Sequence, residues 1–163
     1  MGGESRRGRK GRKNGECCRR EARHFVARAG LTLQAKEAEA FAAEAAGDAD
    51  NAVMRMKEAV TIEDSIDDLS QPPYPVIPAA ELCGNLLLEL NQPAEAAAYF
   101  HKALQRTPNR PKAIFGLARA AQAMGDNETA SERYEEFLNV WKTADSDRPE
   151  LAKATQFLQG NHP

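Results

Sequence analysis

Few residues of this chain are spaced to do chemistry. Its three histidines, His24, His101 and His162, stand without a carboxylate or thiol at metal-ligand spacing, so neither a metal site nor a histidine base with an orienting partner is expected. Asp64, Asp67 and Asp68 hint at a cation loop. A calcium loop also needs alternating ligands and a distal glutamate, and these are missing, so a solvated acidic linker is expected instead. No glycine-rich phosphate loop, nucleophile elbow or HExxH pair occurs. Cys17, Cys18 and Cys83 make no CxxC pair and no even set, which reads as reduced thiols in a cytoplasmic chain. The sequence is therefore read as non-catalytic, with no cofactor and no metal.

What remains is recognition by charge and by extended backbone. Residues 1–23 hold nine Lys/Arg against Glu4, Glu16 and Glu21, a net of +6, within an overall charge of −2. The rest of the chain is thus at −8. A basic segment of this kind binds nucleic acid or an anionic membrane surface by counterion release, although no aromatics interleave to stack bases. A start without function is the other reading, and the slightly preferred one. Pro72-Pro73-Tyr74-Pro75 with Val76-Ile77-Pro78 contains PxxP spacing twice. A rigid spacer between helices accounts for it better than an SH3-type ligand does. No apolar run approaches membrane-spanning length, and the basic start lacks the apolar stretch of a secretory signal. Arg6 stands where myristoylation of Gly2 needs Ser or Thr.

The elements that carry these residues read as helices throughout. Hydrophobic residues make up 42% and aromatics 6%, and alanine, the best helix former and the smallest side chain that favours helix, supplies much of the apolar content. Helical character begins near Glu21, with Gly30 expected to break or cap a short first helix. A helix over about Leu33–Ala46 shows a small-residue face of Ala35, Ala38, Ala42 and Ala46. After Gly47-Asp48, Asp50 is expected to cap a helix running to about Ile62. Further helices are expected over 79–90, 93–106, 111–124, 128–141 and 149–158, with Pro93 and Pro111 in first turns.

Residues 82–110, shifted by 34 positions, fall on residues 116–144 with small and large residues mostly matched. Gly84 meets Ala118, Asn91 meets Gly125, Ala96 meets Ala130, Phe100 meets Tyr134 and Leu104 meets Leu138. A fixed period of this size marks stacked helix pairs. The fold expected is all-α, a short right-handed α-solenoid of about three antiparallel helix pairs plus a C-terminal solvating helix. The organisation expected is a basic segment over 1–20 and an array over 21–158, with a tail over 159–163. Units fall near 33–66, 77–110 and 111–144, with a proline-rich insertion at 67–76 and an end helix at 149–158.

The unit resembles the tetratricopeptide repeat. That family prefers small residues at repeat positions 8, 20 and 27, a large one at 24 and proline at 32. Gly84, Ala96, Phe100, Ala103 and Pro108 match it in turn, as do Ala118, Gly125, Ala130 and Tyr134 in the next unit, where Phe137 and Lys142 depart from it. Upstream, Ala40, Gly47, Ala52, Met56 and Ala59 fit a third unit, offset by 44 residues because of the insertion. The wider resemblance is to the C-terminal part of bacterial multi-repeat proteins of this family. It implies a protein–protein interaction module that binds a peptide or helix in a concave groove. Carried onto matching positions, the groove residues are Glu81, Asn85, Leu88, Glu89, Lys112, Phe115, Arg119 and Gln122. Only Asn85 fits the carboxylate-clamp pattern of the subfamily that grips chaperone C-termini, so that specialised reading is set aside. The partner implied is an unidentified protein or peptide. The alternative is an adaptor whose residues 1–23 hold nucleic acid or an anionic membrane.

Overall fold

The computed structural model describes residues 28–66, 77–143 and 147–160. The basic segment with Cys17, Cys18 and His24, the proline-rich stretch 67–76, and His162 lie outside the described residues. Seven helices and no strand are found among those described: α1 over 28–45, α2 Ala49–Asp64, α3 Ala79–Glu89, α4 Pro93–Arg106, α5 Pro111–Ala123, α6 Asn127–Val140 and α7 Pro149–Gly160. From α2 onward each helix packs chiefly against its chain neighbours, and α3 also touches α5. This is the connectivity of a helical-repeat array, in which each unit buries its apolar face against the next. No helix among the described residues is long and apolar enough to cross a membrane.

Two local expectations are corrected. Gly30 does not end a short helix; it lies buried inside α1. A helical glycine costs only about 1 kcal/mol against alanine, and α1 recovers that by burying Leu33, Ala40 and Ala43. The cap of α2 is Asp48 rather than Asp50, its carboxylate accepting from the Asn51 N–H at 3.1 Å. Gly47 turns the chain in a left-handed conformation, φ 79°, which delivers Asp48 directly to the helix start. The third unit repeats the device: Gly125 at φ 78° precedes Asp126, which accepts from the Thr129 N–H at 3.1 Å. Asn91 takes the same turn position in the second unit at φ 56°, a conformation asparagine tolerates better than most residues.

The inter-helix seam explains the small residues. Phe100 on α4 is fully buried, with its ring between Gly84 on α3 and Gly116 on α5. A Cβ added at Gly84 would come within 2.8 Å of the ring, and one at Gly116 within 2.4 Å. One aromatic thus fixes the approach of its own helix pair and of the next.

The junction between α2 and α3 is closed by polar contacts. Pro78 gives α3 no side-chain cap; the buried Glu63 carboxylate, sixteen residues earlier, accepts from the Ala79 N–H at 3.0 Å instead. Arg106 of α4 donates to the Glu63 and Ile66 carbonyls, both at 2.7 Å. Burial pushes the Glu63 carboxyl up, while the Arg106 charge and the Ala79 and Ala80 N–H groups oppose that shift. The chain therefore leaves α2 and re-enters α3 through a pinned gate, whatever the length between.

Candidate functional site

The first helices of successive pairs set three rungs between α3 and α5. Glu81 and Phe115, Asn85 and Arg119, and Leu88 and Gln122 are each 34 residues apart, so each pair occupies equivalent places on adjacent helices. Seven of the eight residues expected to line a groove are at least partly exposed: Asn85, Leu88, Glu89, Lys112, Phe115, Arg119 and Gln122.

Glu81 differs. Only 2% of it is exposed, and Arg110, immediately before α5, grips it through both carboxylate oxygens. An unpaired carboxylate at that depth would be strongly destabilising. The Glu81–Arg110 pair thus ties one unit to the next, and its carboxylate is not free for a partner.

Phe115 is also partly committed. Its ring lies 5.7 Å from Tyr134 at 64° and 5.0 Å from Phe137 at 47°. The cluster continues through Tyr134 to Phe157 of α7 at 4.9 Å and through Phe137 to Trp141 at 5.0 Å. Arg148 stacks over Trp141 at 4.9 Å, a cation–π contact at the start of α7. Phe137, which replaces the small residue of the repeat pattern, is completely buried in this cluster and helps seat α7.

The remaining polar residues ring that cluster. The Tyr134 hydroxyl donates to Gln122 Oε1 at 2.8 Å. Burial pushes this phenol up, with the Arg119 charge opposing. Lys112 faces Glu150 of α7 at 3.9 Å. At the other end of the rungs, the neighbouring Glu89 carboxylate, with a smaller effect of burial, pushes the Glu44 carboxyl of α1 up. The face therefore grades from acidic beside α1 and α3 to basic along α5.

Two residues on this face escaped the sequence reading. Phe41 and Glu44 lie 44 residues before Asn85 and Leu88, the same offset that places the upstream unit. Phe41 is 45% exposed. The signal was present in the register of Ala40, Gly47 and Ala52, which carries the groove positions onto α1 as well.

Residues 87–155 match the tetratricopeptide repeat family. Over that stretch the chain is similar to tetratricopeptide repeat proteins. Its fold is shared by many solved structures, three tetratricopeptide repeat domains among them. The tetratricopeptide repeat domain of Arabidopsis OM64 is 14% identical, with a TM-score of 0.63 over 82% of this chain and 99% of that one. The Sgt2 domain from Aspergillus fumigatus is 21% identical, with a TM-score of 0.58 over 78% and 75%. The first such domain of human RPAP3 is 15% identical, with a TM-score of 0.58 over 80% and 95%. At these identities the likeness is one of fold. No curated protein matches the chain.

Proposed function

We propose that the chain is a non-catalytic protein–protein interaction module that holds a peptide or helix of a protein partner along the face shared by α1, α3 and α5. The observation that carries this reading is the pair of rungs Asn85/Arg119 and Leu88/Gln122, repeated at 34 residues on helices in direct contact. A row of two amides, one cation and one aliphatic side chain suits an extended ligand. Main-chain groups would meet Asn85 and Gln122, and an acidic side chain would meet Arg119. Leu88 and the exposed edge of Phe115 supply the apolar anchor. Lys112 and Glu89 mark the two charged ends of the face, and Glu81 supports it from beneath.

The test is quantitative affinity capture with the intact chain and with an Asn85→Ala/Arg119→Glu double variant. Both substituted residues are partly exposed, so circular dichroism should show an unchanged fold. Phe115 is a poor choice for this purpose because its ring packs on Tyr134 and Phe137. Partners held by the groove should fall about tenfold in recovery, the worth of one charge-assisted contact. An unchanged set of captured proteins would place binding elsewhere on the molecule.

A further inference from the structure

The end helix α7 keeps the register of α5. Arg148 and Pro149 open it as Arg110 and Pro111 open α5, at an offset of 38 residues. Ala154 then falls where Gly116 stands. Gly116 packs on Phe100 of the preceding helix pair, and Ala154 is buried in the cluster of Tyr134, the counterpart of Phe100. The same offset carries Lys112 onto Glu150, and these two side chains face each other at 3.9 Å. It carries Ile114, Ala118 and Ala121, buried in the cluster with α6, onto Ala152, Gln156 and Gln159, which are exposed. Every face of α5 thus has its counterpart on α7.

The groove positions Phe115 and Arg119 accordingly map onto Lys153, which is exposed, and Phe157, which is partly exposed. At equivalent places on successive first helices, an aromatic is followed by a cation and a cation by an aromatic. The Phe157 ring rests 4.9 Å from Tyr134, whose hydroxyl donates to the groove residue Gln122. Among the described residues neither Arg119 nor Lys153 forms an ion pair, whereas Arg110, Lys112 and Arg133 each meet a carboxylate.

We infer that α7 lines the groove as well as ending the array, and that the α5–α7 half takes an acidic segment of the partner that carries apolar side chains. This rests on the groove reading above and names the ligand chemistry of that site. Carboxylates of the segment pair with Arg119 and Lys153, and its apolar side chains lie on the exposed edges of Phe115 and Phe157. Glu44 and Glu89 at the other end of the face repel a ligand that is acidic throughout, so the acidic run stops short of α3. A nucleic-acid strand fits less well. Its phosphates would run on towards those two carboxylates, and both rings are already packed on Tyr134, which leaves no open stacking platform. Residues 1–27 carry nine Lys/Arg against three Glu, the wrong charge to cover this half.

Fluorescence anisotropy of the full chain with short labelled peptides, capped at both ends, tests the inference. One peptide combines Glu with Leu and Phe; in its counterpart Gln replaces Glu. The Glu peptide should bind about tenfold or more tighter than the Gln peptide and lose that margin at high salt. Lys153→Glu should weaken the Glu peptide about tenfold. Lys142→Glu, the same charge change at an exposed position just after α6, should alter it by less than about twofold. Equal affinity for the two peptides, equal effects of the two substitutions, or tighter binding of an oligothymidylate than of the Glu peptide would each overturn the inference. If Asn85→Ala/Arg119→Glu lowers partner capture while Lys153→Glu leaves the Glu peptide bound, the extension onto α7 fails and the groove reading stands. If neither variant changes anything, both fall.

Discussion

Gly116→Ala decides whether the Phe100 seam or helix propensity governs this array. Propensity alone favours alanine by about 1 kcal/mol in a helix interior, so a reading based on α5 in isolation predicts a more stable protein. The packing says otherwise. The new Cβ would lie 2.4 Å from Phe100 Cε1 and Cζ and 2.7 Å from Cδ1, where carbon contacts become comfortable only near about 3.5 Å. Ring and helix must therefore part by about 1 Å. The ring has nowhere to go, because it is fully buried and its other side rests against Gly84. The α4–α5 contact has to open instead. Overpacking of this kind costs about 1–3 kcal/mol. Three ring atoms in overlap put the cost near the upper end, so the net loss is about 2 kcal/mol after the propensity gain. Urea unfolding followed by far-UV circular dichroism reads it as a lower midpoint at constant slope. Gly84→Ala, with a milder overlap at 2.8 Å, should lose less. In a Phe100→Leu background the Gly116→Ala penalty should shrink by about 1 kcal/mol or more. A neutral or stabilising Gly116→Ala, or an undiminished penalty beside Leu at position 100, would refute the seam.

The other expectations are quicker to state. Arg110→Ala strands the buried Glu81 carboxylate and should cost about 3 kcal/mol in the same urea assay, with Glu81→Met added to it recovering most of the loss; a loss under half that size would contradict the pairing. Burial pushes the Cys83 thiol up to about 12, so in a Cys17→Ser/Cys18→Ser background it should resist a thiol-specific disulfide reagent at pH 8 until the protein is unfolded. Immediate reaction would mean the seam opens locally. Burial, and secondarily the Glu63 charge, pushes the Glu37 carboxyl up, and its Oε1 is buried without a hydrogen-bond partner among the described residues. A raised carboxyl contributes stability that is present below the ordinary range near about 4.3 and lost as pH rises through the folded value. Melting temperature should therefore decline from mildly acidic to neutral pH. Glu37→Gln should raise the neutral-pH value and flatten part of the slope, Glu44 and Glu63 supplying the remainder. A slope that Glu37→Gln leaves intact would assign it wholly to those two.

What the sequence makes legible depends on whether a position answers to its own helix pair or to its neighbour. Turn residues answer locally: Gly47, Asn91 and Gly125 share a left-handed conformation that few other side chains accept, and so they stand out by type. Close-approach positions such as Gly84, Ala96 and Ala130 are nearly as clear, since only small residues fit where helices touch. The cap of α2 is less legible because Asp48 and Asp50 are chemically alike and only the geometry after Gly47 separates them. The groove is least legible, and its fifth position shows why. Glu37, Glu81 and Phe115 occupy the same place in three successive units and meet three different surroundings. Glu81 meets Arg110 at the head of the next pair and is drawn inside. Phe115 meets the α6 aromatics and joins the cluster that holds α7. Glu37 lies near Glu63 at the pinned gate, with a buried oxygen that has no partner among the described residues. Repeat register assigns all three to one surface, but the neighbouring unit decides which of them a ligand can reach. Among the described units no two of these residues meet the same neighbours, so every rung of the proposed face differs, and what the face could recognise follows from the packing between units rather than from the repeat pattern itself.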